Sequence, residues 1–361
     1  MKYIIAILKG VKIMKIMKLP KLYFLEKMKR NKDTVEEKEE STSIFFSIVR
    51  KEFTDYIKSW RIIILLVIIA LTSFGSLYTA ITTIEDSISA SKESQEVAKD
   101  SYLFLKLFTV SDGTLPSFVT FVSFLGPLLG ITLGFDAINS ERNKGTLTRL
   151  MSQPIPRDYV LNAKFTAALL VNIVLFITLG LIVMAFGILV IGIPPTAEEF
   201  LRVLCFLGLC IVYIAFWLNL SILFSVRFKQ PATSALSSIA IWLFFSIFYS
   251  MIIDVIAKGY LTSDSIENAE EALNRQGTML NLMRLNPNYL FTESTTTLLS
   301  PTVRSLGPLT MEQTTGAIAG PLPFGQSLLL IWPQLTGLIA LTLVCFAISY
   351  VLFMRQEIRT N

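Results

Sequence analysis

Residues that could carry out covalent or metal chemistry are scarce in this sequence of 361 residues. Histidine is absent, which removes imidazole metal ligands and every nucleophile pair built on a histidine base. The three cysteines, Cys205, Cys210 and Cys345, lie in long apolar runs, and we interpret them as packing residues. A hydrolase built on a serine and a lysine is also disfavoured, because no lysine lies within an apolar run to act as base. We therefore predict no catalytic residue, no cofactor and no enzyme activity.

Two methionines are the remaining candidates for metal binding. Met279 and Met283 are four positions apart, so a helix would place both thioethers on one face, where Cu(I) could bind them. Ordinary packing is the favoured interpretation, because no histidine or exposed cysteine is available to complete such a site. No metal site is predicted.

The composition identifies an integral membrane protein. Hydrophobic residues make up 53% of the chain, charged residues only 16%, and the mean hydropathy is +0.60. A bilayer core about 30 Å thick requires roughly 20 apolar residues in a helix. Six charge-free runs approach or exceed that length, at residues 62–81, 116–135, 165–193, 203–226, 232–253 and 328–354. We predict an all-α membrane protein with six transmembrane helices. In lipid, the backbone N–H and C=O groups of a single segment can form hydrogen bonds only within that segment, which requires a helix.

Basic residues are distributed unevenly between the two sides of these predicted spans. Of the 32 lysines and arginines, 24 lie on the side that holds both chain ends. The positive-inside rule makes that side the cytoplasm, so we expect a multi-pass protein of the plasma membrane with cytoplasmic termini. The net charge of +5 is attributed to this topology and to contact with anionic lipids rather than to nucleic-acid binding.

Flanking segments complete the predicted organisation. Residues 1–43, rich first in lysine and then in glutamate, should form a flexible cytoplasmic tail before a membrane domain at 44–361. From Phe46 to Trp60, apolar residues recur every three or four positions, which predicts an amphipathic helix in the membrane interface.

The outward loop at 257–326 is too long for a connector, and we expect a short helix near 265–276. We expect this loop to form a small external cap, and disorder of residues 295–321 is favoured almost as strongly.

Small and polar residues mark particular faces of the spans. Gly126, Gly130 and Gly134 recur every four residues in the second span, so one helix face lacks side chains and permits close helix packing. That packing could lie within the chain or between two copies. The deepest uncharged polar residues are Asn172, Asn219 and Gln334, which suit interhelical hydrogen bonds or a translocation path.

One polar segment, residues 141–157, separates the second and third apolar runs and is longer than a simple turn requires. Helix can continue from the second span through residues 136–142, and Gly145 can break it. Residues 146–151 can then form a second, short helix, which Pro154 would end.

This short helix carries apolar side chains at the membrane surface. Leu147 lies on one side of it together with Leu150 or Met151. Exposed apolar side chains of this kind commonly mark a contact with another protein, so we predict a docking site.

The same segment resembles the signature of the ABC-2 type transporter permeases, in particular the branch described as multi-copper-enzyme maturation permeases. The resemblance extends over the layout of the chain from about residue 43: an interfacial elbow helix, six spans, a short turn after the third and a long outward loop before the sixth. Residues 285–291, LNPNYLF, are similar to part of that loop in the family. The tail and the length of the last outward loop depart from it. The matching positions in the signature are Glu141, Arg142, Gly145, Thr146, Leu147, Leu150, Ser152, Pro154, Arg157 and Lys164.

Membership would imply half of an ATP-driven exporter. Two copies of the permease, or this chain and a sister permease, would bind two ATP-binding cassette ATPase subunits. Residues 145–151 would be the coupling helix that enters a groove on the ATPase. The residues implied in coupling are Glu141, Arg142, Gly145, Thr146, Leu147, Leu150, Met151, Pro154 and Arg157. The sequence contains no glycine-rich phosphate loop of the G-x-x-x-x-G-K-[ST] type, so ATP hydrolysis is expected from a separate subunit.

The favoured function is export of an amphipathic or hydrophobic solute, because the interiors of the predicted spans carry no charge for an ion pathway. A second hypothesis is a mechanical transmitter that acts on an external protein through the long loop without moving a solute.

Overall fold

The computed structural model describes residues 44–91, 102–153, 155–191, 194–261, 269–302 and 321–356. All regular secondary structure within these ranges is helical, which confirms the predicted fold class. We number the helices in chain order as α1 (residues 44–58), α2 (Trp60–Ser91), α3 (Leu103–Thr109), α4 (Phe118–Gly134), α5 (Asn139–Asn143), α6 (Thr146–Met151), α7 (Arg157–Ile191), α8 (Ala197–Arg227), α9 (Pro231–Leu243), α10 (Tyr249–Leu261), α11 (Ala269–Met283), α12 (Pro287–Leu299) and α13 (Phe324–Arg355). A π-helical turn, Phe244–Phe248, joins α9 to α10.

Six helical segments are long and apolar enough to cross a membrane, and each overlaps one of the six predicted runs. The six-span prediction is therefore confirmed. Because consecutive spans cross in opposite directions, we call the end where α4 finishes and α7 begins the α6 end, and the opposite end the α3 end. The segments are Trp60–Ile84, Phe118–Asn143, Arg157–Leu189, Ala197–Arg227, Pro231–Gly259 and Phe324–Arg355.

Helix α8 lies at the centre of the bundle and contacts α4, α7, α9, α12 and α13. Every residue from 213 to 222 is buried, so all faces of the helix have neighbours over that stretch. By contrast, only 11% of the apolar window of the fifth span is buried within the chain.

A buried arginine organises the α3 end. Arg202 of α8 has no exposed surface, and its guanidinium donates hydrogen bonds to the carbonyl oxygens of Leu298 (2.8 Å) and Leu322 (2.6 Å). It also donates to Oγ of Ser327 (3.1 Å) and forms an ion pair with Glu198 (2.9 Å). The fork of five N–H donors thus joins the end of α12 and the start of α13 to α8.

The described part of the long loop before the last span contains helices α11 and α12. The helix expected near residues 265–276 is present from Ala269 as α11, which extends to Met283, and residues 265–268 lie outside the described part of the chain. Helix α12 has eight buried residues, so residues 295–299 are ordered parts of the bundle rather than a disordered segment. Residues 303–320 of the same prediction lie outside the described part of the chain.

The predicted amphipathic helix is α1, which ends at residue 58 and is separated from α2 by Ser59. Residues 44–51 belong to one structural unit and the body of the molecule begins at Glu52. On the part of α1 within the body, Phe53 and Tyr56 pack against the core, while Ile57 is exposed. The position of α1 in a membrane interface remains a prediction, and residues 1–43 lie outside the described residues.

Candidate functional site

The segment between the second and third spans forms two short helices rather than a turn. Helix α4 ends at Gly134, four residues follow as a turn, and α5 covers Asn139–Asn143. The helix predicted to continue through residues 136–142 is interrupted by a turn at 135–138 and resumes over Asn139–Asn143. Gly145 has φ 70° and ψ 4°, a left-handed conformation that glycine adopts without steric strain. The predicted break at Gly145 and the following helix α6 are confirmed.

The apolar side of α6 faces the interior of this chain. Leu147 is only 1% exposed and belongs to the hydrophobic core, and Leu150 is half-buried. The prediction that Leu147 contacts a partner directly is therefore wrong, because its surface is already covered. The side chain of Met151 and all of Pro154 lie outside the described part of the structure.

The face of α6 that reaches solvent is polar and basic. Thr146 and Arg149 are exposed, and the segments before and after the helix expose Lys144 and Arg157. The acidic residue nearest in sequence before α6 is Glu141, whose side chain is 12% exposed and paired. A partner that meets this face encounters three cations in a short stretch, so an acidic surface is electrostatically complementary to it.

A buried ion cluster joins α5 to two other helices. Nζ of Lys164, in α7, lies 2.7 Å from Oε2 of Glu52 in α1 and 2.8 Å from Oε1 of Glu141 in α5. The lysine side chain is 5% exposed and the two carboxylates are 8% and 12% exposed. Burial, followed by the nearby carboxylates, raises the pKa of the Tyr56 phenol, so this neighbour stays uncharged. Charges buried this deeply are stable only as a complete set.

The other side of α5 is joined to the ends of the fourth and sixth spans. The guanidinium of Arg142 donates to Oε1 of Gln356, which follows α13, and Nε2 of Gln356 donates to the carbonyl of Val226 in α8 (2.7 Å). The amide of Asn143 donates to the carbonyl of Lys229, just after α8 (3.2 Å).

The turn before α5 is fixed in a similar way. Oγ of Ser225 in α8 accepts hydrogen bonds from the backbone N–H of Ile138 (2.9 Å) and Asn139 (3.2 Å). Arg61 at the start of α2 forms an ion pair with Asp136 (2.6 Å). Together these contacts connect α5 and its preceding turn to α1, α2, α7, α8 and the end of α13.

This arrangement links α6 mechanically to the transmembrane helices. Since α6 follows α5 directly, a force applied to the exposed face of α6 acts on a segment held by charged and polar contacts to five other elements. Packed helices transmit such displacements because interiors resist compression. Within the described residues, no three Cys, Asp or Glu side chains converge on a site for a metal ion.

The helix pair α5 and α6 could be predicted from the sequence, but the residues that hold it could not. Lys164 matched the family signature, and a lysine beside a long apolar run already required a counter-charge. Nothing in the sequence indicated that Glu52, which lies 112 positions earlier, would supply this counter-charge. Ser225 and Gln356 carried no recognisable signal either.

The glycine face of α4 packs against α8 of the same chain. A Cβ placed on Gly130 would lie 2.7 Å from the carbonyl oxygen of Ile214, and one on Gly134 would lie 2.7 Å from that of Leu218. At Gly126 the nearest atom belongs to the Ile214 side chain, at 3.0 Å. The intrachain alternative is therefore the observed one, and side-chain-free backbone lets the two helices approach closely.

The three polar residues of the span interiors are all buried. Asn172 donates to the carbonyl of Ile211 (3.2 Å), and Gln334 donates to Oε2 of Glu293 (2.9 Å), so both join helices. Asn219 is fully buried, and neither its amide nitrogen nor its amide oxygen has a hydrogen-bond partner among the described residues. A place for these residues in a translocation path remains a prediction.

The chain is similar to a known transporter family and to individual permeases. A family described as ABC-2 family transporter protein matches residues 46–358. The chain is similar to a probable ABC transporter permease protein NosY from Pseudomonas aeruginosa, with 26% identity over 162 residues, covering 43% of this chain and 58% of that protein. It is also similar to the protein of the same description from Stutzerimonas stutzeri, with 33% identity over 87 residues, or 24% of this chain and 32% of that protein. The chain thus matches less than two thirds of the length of each relative.

Proposed function

This chain belongs to the ABC-2 transporter family, and we propose that it is a permease subunit through which a separate ATPase drives export of an amphipathic or hydrophobic solute. The protein is a multi-pass membrane protein of the permease class. We propose the direction of transport, the type of solute and the separate ATPase. ATP hydrolysis is assigned to another subunit because this sequence contains no glycine-rich phosphate loop.

The observation that carries the proposal is the set of contacts around α5. An ATPase that moves α6 would also move α5, and through Glu141 and Lys164 it would act on α1 and α7. Through Arg142 and Gln356 the same movement would reach the ends of α8 and α13. One docking event could therefore shift several spans together, as coupling between distant sites requires.

The docking contact itself is proposed to be polar and electrostatic. The exposed basic residues of this region are Lys144, Arg149 and Arg157, while Leu147 is buried. We expect the ATPase to present an acidic groove, in which α6 lies with its basic face inward. The largely buried members of the predicted coupling set, Glu141 and Leu147, then position α6 rather than touch the partner.

A second copy of the permease, or a sister subunit, is proposed to complete the transporter. The fifth span has most of its large apolar side chains exposed, including Phe248 (55%), Met251 (59%) and Val255 (71%). Lipid and a partner permease are both apolar enough to cover this surface. We propose that the α6 end faces the cytoplasm of a plasma-membrane protein, since basic residues are concentrated on that side.

The docking proposal is tested by copurifying the ATPase with charge-reversal variants. Arg149→Glu should weaken association by about 1 to 3 kcal/mol, roughly a 5- to 150-fold loss, and the association of the parent should fall as salt rises. Lys258→Glu makes the same change in α10 near the α3 end of the fifth span and should leave association unchanged. Leu147→Asp is not a useful test, since it would place a charge in the core.

Unchanged copurification and ATP hydrolysis for Arg149→Glu at every salt concentration would contradict docking through this face. Failure of the parent permease to copurify with any ATPase would contradict the proposed function itself.

A further inference from the structure

The fifth span contains a π-helical turn at its middle. The backbone N–H of Tyr249 bonds to the carbonyl of Phe244, five residues earlier, instead of the usual four. A turn of this kind shifts the hydrogen-bond register and leaves a carbonyl without its normal helical donor. In lipid such a carbonyl requires another partner.

Side-chain donors reach this turn from the sequence Asn286-Pro287-Asn288 at the start of α12, which we call the Asn-Pro-Asn segment. Nδ2 of Asn286 donates to the carbonyl of Phe245 at 2.7 Å, and Nδ2 of Asn288 donates to Oγ of Ser246 at 2.7 Å. Oδ1 of Asn286 also accepts from the backbone N–H of Asn288 (2.9 Å), so the same residue caps α12. Asn286 is 5% exposed.

Two tyrosines extend the contact to neighbouring helices. The hydroxyl of Tyr249 donates to the carbonyl of Leu282 in α11 at 2.6 Å. The hydroxyl of Tyr213 in α8 lies 2.6 Å from Oδ1 of Asn288, and its ring stacks on Phe291 with centroids 4.2 Å apart. The π turn is therefore connected through one segment to the central helix of the bundle.

The two halves of the fifth span have different neighbours. Helix α9, before the π turn, contacts α4 and α8. Helix α10, after it, has α11 as its main neighbour. The π turn lies where the packing changes, which is the position expected of a hinge between two bodies.

We propose that the Asn-Pro-Asn segment holds the π turn of the fifth span as a hinge, so that α10 and α11 can move together relative to α9 when its hydrogen bonds break. The use of this movement in transport rests on the proposed function. Asn286 and Asn288 are then positioning residues, which act on the fifth span and need not touch a solute.

Amide hydrogen exchange of this chain in lipid nanodiscs tests whether the Asn-Pro-Asn segment holds the π turn. Asn286→Ser keeps a good helix cap but is too short to reach the carbonyl of Phe245. Ser246→Ala removes the acceptor for Asn288 with little change in volume. Each variant should increase amide exchange about tenfold in residues 244–261 and 269–283, without changing exchange in α8. Asn281→Ser, the same substitution on the exposed side of α11, is the control and should have no effect.

Spin labels measure the movement directly. In a version lacking the three native cysteines, labels are attached at Leu236→Cys in α9 and Val255→Cys in α10, which are 67% and 71% exposed. Asn286→Ser should broaden the distance distribution or add a second population. Unchanged amide exchange in both variants, or an increase spread equally over all spans, would overturn the hinge. An unchanged distance distribution in Asn286→Ser would overturn it as well.

ATP hydrolysis and copurification, measured together, distinguish failure of the hinge from failure of the proposed function. Asn286→Ser should change ATP hydrolysis of the permease–ATPase complex while the amount of copurified ATPase stays the same. Equal hydrolysis in the presence of normal copurification would overturn a role for the hinge in transport. Absence of any associated ATPase for the parent would instead contradict the proposed function, while the exchange and distance results would still decide the hinge.

Discussion

The left-handed conformation of Gly145 determines where α6 begins and how it is directed from α5. Space is not limiting there, since a Cβ on Gly145 would meet no atom within 4 Å. Any other residue would still bear the strain of φ 70°, which costs about 1 to 2 kcal/mol. The sequence alone was sufficient to predict this residue, because a glycine between two helical patterns has few other uses.

Gly145→Ala is expected to lower ATP hydrolysis coupled to the permease while leaving the transmembrane bundle folded. Gly113 offers a matched control, because it also has a positive φ of 84° and open space around a Cβ, but lies at the α3 end. Both variants should lose about 1 to 2 kcal/mol of stability, measured by thermal unfolding in detergent. Only Gly145→Ala should reduce coupled hydrolysis; an equal reduction in both would show that the effect is general destabilisation.

Other single residues could not be assigned from sequence. An apolar residue on one side of a short helix, such as Leu147, suits a contact within the chain as well as one outside it. Burial decides between the two, and burial depends on residues remote in the chain. The ion cluster around Lys164 has the same origin, since Glu52 becomes its neighbour only after three helices have packed.

At the scale of helices, the contact between α4 and α8 depends on the absence of side chains. Gly130→Ala would place a methyl group 2.7 Å from a backbone oxygen of α8, which cannot move independently of its helix. Overpacking of this kind costs about 1 to 3 kcal/mol, more than the roughly 1 kcal/mol that alanine gains over glycine in a helix. Thermal unfolding of the variant should show a net loss of stability.

Gly208 in α8 supplies the control for that experiment. A Cβ at Gly208 would meet no atom within 4 Å, so Gly208→Ala has the same gain in helix propensity without a clash. Its unfolding temperature should be equal to or above that of the parent. Equal shifts for Gly130→Ala and Gly208→Ala would show that the close approach of α4 and α8 contributes nothing to stability.

Element boundaries were predictable where local chemistry sets them. Six apolar runs were enough to locate six spans, and a small-residue pattern was enough to locate a close contact. The partner of that contact, α8, was not predictable, because spacing within one helix does not identify the other. The π turn and its bond to Asn286 were missed for the same reason.

For the whole molecule, the distribution of basic residues predicts that the α6 end is cytoplasmic. Ser152 is exposed at that end, and Thr296 is exposed on α12 beyond the fifth span. Single cysteines at the two positions, in a version without native cysteines, can be labelled on intact cells by a membrane-impermeant reagent. Thr296→Cys should react and Ser152→Cys should react only after the membrane is opened.

The opposite pattern, with Ser152→Cys labelled on intact cells, would reverse the proposed orientation and place α6 away from any cytoplasmic ATPase. The sequence predicts an orientation because the two sides of the predicted spans differ in their number of basic residues. Which apolar surfaces meet lipid and which meet another subunit could not be predicted, since both environments select the same side chains.

The contact between α4 and α8 also constrains how the protein is made. Gly130 precedes Leu218 by 88 positions, and all of α7 is synthesised between them. At about 5 to 20 residues per second, that stretch requires about 4 to 18 s. During this interval the glycine face of the second span is not yet covered by α8, so acyl chains, the insertion machinery or an earlier span must occupy that face until the fourth span leaves the ribosome.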